Sequence, residues 1–360
     1  MKISFYGCLL LMVFALVACN TSNGEQTSPK SNVKGVGDVD VVNTHGRIEG
    51  WEQMEAFYDQ MQKGVNSDLR IVHYTTEGDP MVTDLTYDGE SLEVKHDTTR
   101  DKYGNGAVNT KTCGGLIKET NPTNTSYIAT DCTGVPYEMD EVLGIRYNSS
   151  QQDRFDVELK YGEDLENEIS TVTNTVKKEK SGTEKDVDLP DRIMQEVYKR
   201  LVFANYLAEK DLDSTCEIEN DENYQLKVYI NGGQREYRWA GCDQSKDGKR
   251  FTEIAQYIIE QSEKKDIEKQ DTVIQGYVIE MKDDQLLIGE EMNRLDYEQF
   301  KNEIQQMDLE GIIFDFTYIK GMDTEDFQLG DKIRATVEGN IVGSNPGKAT
   351  VKEVKKIEID

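Results

Sequence analysis

Three histidines, six cysteines and a large excess of carboxylates are the side chains with which this chain could do chemistry. Nucleophilic hydrolysis needs a Ser or Cys beside a His that a carboxylate orients. His45, His73 and His96 are the only imidazoles, and there is no G-x-S-x-G. His73 lies mid-strand beside Tyr74 and reads as a packed residue. His96-Asp97 with Arg100-Asp101 is the richest polar cluster, followed by Tyr103-Gly104-Asn105-Gly106. As a site it offers Arg100 to an anion or polar ligand; as structure it is a salt-bridged turn, the reading favoured here. His45, Asp79, Arg100 and Asp101 are therefore the weak ligand-site candidates, and no catalytic set is assigned.

The paired carboxylates Glu290-Glu291 and Asp283-Asp284 have the residue types of a glycosidase acid and base. Among 69 acidic residues such neighbours arise by chance. Asp38-Val39-Asp40 and the stretch 243–248 lack the acidic ladder and distal Glu of a calcium loop, and no phosphate loop or dinucleotide fingerprint occurs. No metal and no cofactor are expected. Tyr224, Tyr229, Tyr237 and Trp239 gather on one hairpin. They read as strand packing ahead of an exposed recognition face.

Four cysteines fall in the folded part as two local couples, Cys113 with Cys132 and Cys216 with Cys242, spaced 19 and 26 residues apart. Zinc favours closer cysteines or nearby histidines, and the histidines all lie in the first third of the chain. Structural disulfides are the better reading, each closing a loop for about 3 kcal/mol. Cys8 and Cys19 belong to a different segment. Lys2 is followed by an uncharged run from Ile3 to Ala18, then Cys19 and the polar Asn20-Thr21-Ser22, the layout of a signal peptide. The run to Cys19 is 17 residues, short of the ~20 that comfortably span a bilayer. Leu16-Val17-Ala18-Cys19 resembles the lipobox of bacterial lipoproteins. That resemblance implies cleavage before Cys19 and diacylglycerol on its thiol, with palmitate-type chains making the anchor durable. The expected location is the extracytoplasmic face of the cell membrane.

The formal net charge of −28 argues against nucleic acid and against docking on anionic lipid through a basic patch. Its simplest role is to keep a tethered, monomeric protein soluble. Hydrophobic residues at 36% allow folding with small cores.

The positioning elements follow from pattern. Residues 1–18 are the leader, and 19–37, rich in Ser, Thr, Asn, Gly and Gln, are a flexible tether. From 38 to 137 the order is a helix, with Trp51, Met54, Phe57, Tyr58 and Met61 on one face, then an antiparallel meander with an Asp88-Gly89 turn. From 138 to 266 come strands, a charged mobile loop over 177–188, and a helix after Pro190 with Ile193, Val197 and Leu201. A hairpin about Asn231-Gly232 and a last amphipathic helix complete that part. A charged linker leads to 271–360, whose five short strands, single helix and corner glycines suggest an OB-like barrel. The expected class is α+β: two small helix-plus-antiparallel-sheet domains followed by that barrel.

The blocks Asp40-Val41-Val42-Asn43-Thr44-His45-Gly46, His73–Pro80, Tyr87-Asp88-Gly89 and Asp97–Asp101 resemble domain-of-unknown-function family 4362 over roughly 38–135. The stretch Gly339–Pro346 and its surroundings resemble domain-of-unknown-function family 3221. Together they imply an exported lipoprotein of Bacillus-like bacteria with no established chemistry. The expected role is a non-enzymatic binding or interaction module for an envelope protein, peptide or wall component. The alternative is an envelope hydrolase with its site in the first domain.

Overall fold

The computed structural model describes residues 30–44, 46–179, 182–186, 188–215, 222–264, 272–282, 284–305, 314–339, 341–343 and 346–359. Cys19, His45, Cys216 and the linker segment 265–271 lie outside the described residues.

The tether expected through residue 37 ends earlier than that. Ser31–Val33 (β1) pairs antiparallel with Gly37–Val39 (β2). Composition hid this hairpin because only Val33, Val36 and Val39 carry it, packing against Val72 and Val82 of the sheet beneath. Val41–Thr44 (β3) and Arg47–Glu49 (β4) follow, then helix α1, Trp51–Gln62, which buries Met54, Phe57, Tyr58 and Met61 as its spacing predicts. Gly50 enters the helix at φ 69°, where a Cβ would stand 2.0 Å from the Asp40 carbonyl oxygen, so only glycine fits.

Helix α1 crosses over to Ser67–Tyr74 (β5), which runs parallel to β3. The expected meander is therefore preceded by a parallel β-α-β step, and the sheet is mixed. Pro80–Tyr87 (β6), Leu92–Asp97 (β7) and Val108–Cys113 (β8) complete the order β4-β3-β5-β6-β7-β8.

Gly115–Thr120 (β9), Asn124–Thr130 (β10) and Met139–Arg146 (β11) form a three-stranded sheet with β10 central. Its β10–β11 ladder crosses the domain boundary expected at 137/138. The Cys113–Cys132 disulfide ties β8 to the loop after β10. Cys242 is also disulfide-bonded, whereas Cys216 lies outside the described residues.

A second six-stranded sheet, β15-β14-β13-β12-β16-β17, uses Phe155–Gly162 (β12), Asn167–Ser170 (β13), Thr175–Lys178 (β14), Thr183–Asp186 (β15), Asn223–Ile230 (β16) and Gly233–Ala240 (β17). The loop expected over 177–188 is corrected here: β14 and β15 pair as a hairpin, with Val176 buried under it. Asn231 and Gly232, both at positive φ, make the β16–β17 turn that Asn-Gly predicts. Helices α2 (Asp191–Phe203) and α3 (Lys246–Glu263) cover this sheet. Tyr224, Tyr237 and Trp239 are buried, which decides that aromatic cluster for packing.

One hydrophobic core runs from Val41 to Ile258 through both six-stranded sheets, the three-stranded sheet and helices α1 to α3, while the β1–β2 hairpin packs in a small cluster of its own. Trp51 shows the continuity, because its indole N–H donates to the Phe203 carbonyl at 2.8 Å while its ring meets Phe203 edge-on. The C-terminal part is a closed five-stranded barrel, β18-β19-β20-β22-β21. Its strands are Val273–Lys282 (β18), Gln285–Glu290 (β19), Phe316–Lys320 (β20), Lys332–Val337 (β21) and Gly347–Lys356 (β22), with α4 at Arg294–Gln305. Ile274, Val278, Leu286, Ile288 and Ile333 fill its interior. The class is α+β, mostly strand with four α-helices among the described residues. No helix among them is long and apolar enough to cross a membrane.

Candidate functional site

Because β3 and β5 are parallel, their C-terminal ends lie side by side at one edge of the first sheet. The turns that follow, Thr44 to Arg47 and Tyr74 to Pro80, therefore share one corner. The β1–β2 hairpin roofs it. Between roof and sheet is a cavity of about 550 Å³ with Val33, Val42 and Tyr74 as apolar wall and Thr44, Arg47 and Thr76 at the mouth. That size is within the range of small-ligand pockets.

Arg47 is the unusual group. Its guanidinium is paired with Glu49, whose other carboxylate oxygen accepts from Ser31 Oγ at 3.3 Å. Its Nε–H, however, is shielded from solvent and has no hydrogen-bond partner among the described residues. The charge is compensated while one donor is left over. A buried donor without an acceptor costs about 1–3 kcal/mol, and because the atom is shielded, a guest's oxygen reaches it only when the Arg47 side chain shifts toward the cavity.

Three of the four sequence candidates surround this corner as supports. The Asp79 carboxylate takes the Lys102 Nζ at 2.5 Å and the Lys102 amide at 3.1 Å, and these bonds hold its pKa below the ordinary range. Arg100 donates from Nε to the Gly35 carbonyl at the hairpin turn (3.1 Å) and from Nη1 to Asp97 (2.7 Å). Asp101 accepts the amides of Tyr103 and Gly104, both at 2.9 Å. The loop 98–106 is thereby tied to both the hairpin and the β5–β6 turn. Within the turn itself, Arg100 pairs with Asp97 at 2.7 Å. His45 lies outside the described residues.

The cluster also divides, because neighbours on a strand point to opposite faces. Asp97 joins the outer face, held down at about 2 by the Thr99 hydroxyl, the Thr99 amide and Arg100. His96 turns inward, with Nε2 facing Asp140 at 2.7 Å and Nδ1 facing the Thr83 hydroxyl at 2.9 Å. Hydroxyl, imidazole and carboxylate stand in the order of a nucleophilic relay. Thr83 is only 3% exposed, so its oxygen is not presented to a substrate. Burial works against ionisation of Asp140, but His96 and Lys111 outweigh it and lower its pKa. The cluster works as an internal clamp between β7, β8 and β11. His73 donates from Nε2 to the Val142 carbonyl oxygen at 3.1 Å, and burial lowers its pKa despite that bond.

The sequence reading missed Arg47 and Thr44. Thr44 lies inside the block ending in His45-Gly46 and Arg47 follows it directly, so a turn flanked by a hydroxyl and a basic residue was the available signal.

Residues 38–128 match the model of a domain of unknown function (DUF4362), and residues 275–358 match that of a protein of unknown function (DUF3221). These are the two families that the sequence blocks resemble. Among solved structures, a yobA protein from Bacillus subtilis aligns at 18% identity over 24% of this chain and 96% of its own length. Its TM-score of 0.18 carries no argument about fold or function. No curated protein matches the chain significantly.

Proposed function

We propose that this chain is a membrane-tethered extracytoplasmic lipoprotein whose N-terminal sheet binds a short peptide segment, acting as a recognition module and not as an enzyme. The anchor rests on Leu16-Val17-Ala18-Cys19 and the polar residues after it, which support cleavage after residue 18 and acylation of Cys19. The Cys113–Cys132 disulfide suits an oxidising compartment, and the excess of acidic residues supports a monomer that avoids nucleic acid. A Bacillus-type source is consistent with the family blocks. The finer fold reading belongs here too: two α+β units, 38–137 and 138–266, fused through one core, and an OB-like barrel over 271–360. The closed five strands support the barrel assignment.

The peptide reading is carried by the cavity under the β1–β2 hairpin, which combines an apolar wall with Arg47 on its lining. Since Glu49 already neutralises the guanidinium, the leftover donor calls for a neutral carbonyl oxygen in preference to a second anion. The apolar wall of Val33, Val42 and Tyr74 would take the adjoining side chain. Two experiments test the two halves. Metabolic labelling with an alkyne fatty acid should mark the chain and be lost in Cys19→Ser; an unlabelled wild type refutes the anchor. Capped tripeptides with an apolar central residue should raise the thermal midpoint of the wild type and not of Arg47→Lys, which keeps the charge but not the Nε–H. Equal shifts in both proteins refute the site.

A further inference from the structure

The barrel meets the rest of the molecule through polar groups. Glu119 on β9 accepts from Lys332 Nζ at 2.5 Å, from Tyr277 Oη at 2.9 Å and from the Arg294 amide at 2.8 Å. Gln275 donates to the Thr120 carbonyl at 2.7 Å, and Asn121 donates to the Glu291 carbonyl at 3.0 Å. Asn293 reaches Ser126 and Glu141, while Thr123 donates to the Glu291 carboxylate. Interfaces this polar between parts of one chain belong to pieces that move against each other.

Beside these bonds the two parts enclose a cleft of about 440 Å³. The barrel lines it with Glu290, Glu291, Asp296 and Asp315. The body adds Glu141, Asp191, Arg146 and Arg192, so six carboxyl groups face two guanidinium groups. Of those two, Arg146 is exposed, where its charge is screened. Lys332 is occupied by Glu119 deeper in the seam, and Arg294 is paired with Glu298 on its own helix. Closing the seam therefore brings six carboxyl groups around two guanidinium groups.

We propose that the barrel is an acid-closed lid, docking on the β9–β11 sheet when Glu291 and Asp296 carry protons and lifting when both are ionised. The titration follows the geometry. Burial, then Glu290 and Asp315, push Glu291 up to about 7. Burial, with Glu141 and Glu119 assisting and the Asn293 amide and Arg146 opposing, pushes Asp296 up to about 6. Glu290 is raised as well, by burial first and Asp315 after it, against its bond from Thr317. Lifting the barrel exposes these groups to water and returns them to ordinary carboxylate values near 4. The docked state thus binds more protons, and docking weakens as pH rises from about 4 through about 7. Each unit of difference is tenfold in the equilibrium; between pH 5 and pH 8 Glu291 contributes about two units and Asp296 about one, so the change is roughly a thousandfold.

The Arg294 amide is the natural reporter, because its acceptor, Glu119, lies across the seam. Hydrogen exchange at Arg294 in the full mature chain, corrected for intrinsic rates, should be roughly a thousandfold less protected at pH 8 than at pH 5. Small-angle scattering should show a larger particle at pH 8. In Glu291→Gln with Asp296→Asn, protection should stay high at both values. Equal protection and equal size of the wild type at the two pH values overturn the proposal. So does a double variant that folds and keeps the wild-type dependence.

Discussion

Replacing Lys332 by Met tests whether the barrel is held by the one fully enclosed ion pair among the described residues. The side chains of Lys332 and Glu119 are 2% and 0% exposed, and the pair joins two residues 213 apart in sequence. Met retains the apolar stem and removes the ammonium, leaving the Glu119 carboxylate with two donors, Tyr277 Oη and the Arg294 amide. Removing one member of a buried pair costs about 3–5 kcal/mol, chiefly because the other charge stays buried. The two remaining donors place the expectation at the lower end, about 3 kcal/mol, or roughly 150-fold in docking. An internal control is available in Lys282→Met. Lys282 also pairs with a glutamate, Glu280, but is 46% exposed, and such pairs are worth about 0–1 kcal/mol. Hydrogen exchange at the Arg294 amide as a function of urea gives both numbers. The double variant Glu119→Gln with Lys332→Met should recover most of the loss, since no charge is then stranded. A Lys332→Met protein no less stable than Lys282→Met, or a double variant as damaged as the single, would refute the reasoning.

Other perturbations follow from the same structure. Cys113→Ser with Cys132→Ser opens a 19-residue loop and should cost about 3 kcal/mol in denaturant unfolding, without moving the barrel transition. Met54→Ala, at a fully buried position on α1, should cost about 2–5 kcal/mol. Because the core is continuous, it should shift tryptophan fluorescence of both Trp51 and Trp239 in a single transition, not two. His73 has a pKa lowered by burial, so the unfolded chain binds its proton more readily and stability falls as pH drops through about 6.5. In His73→Gln that portion of the acid dependence should vanish from the unfolding profile of the body.

How much was legible depended on whether a feature was local. Trp51, Met54, Phe57, Tyr58 and Met61 mark α1 because a helix repeats every 3.6 residues, and Asn231-Gly232 marks its hairpin through its positive-φ turn. The parallel β3–β5 pair was not visible, since strand direction is set by a crossover and leaves no pattern in either strand. Val108–Cys113 escaped because it is an edge strand whose residues are mostly exposed, so it carries no alternation. The β1–β2 hairpin was hidden in a segment whose composition is that of a linker. Of the candidate site, the two blocks at Asp40–Gly46 and His73–Pro80 were found in sequence. Their meeting in space, and the stranded donor on Arg47, needed the fold. Glu119 was one of 69 acidic residues, and nothing local set it apart from the exposed ones.

The central claim is that the corner where β3 and β5 end is a peptide-binding pocket. A nitrogen-15 amide spectrum of the mature protein, titrated with capped tripeptides bearing an apolar central residue, tests it directly. Saturable shifts should concentrate at Val42, Thr44, Arg47 and Tyr74 to Gly78, with the Arg47 Nε–H signal moving downfield, and should be absent in Arg47→Lys. Shifts that are missing, that cluster elsewhere, or that persist unchanged in Arg47→Lys would contradict it.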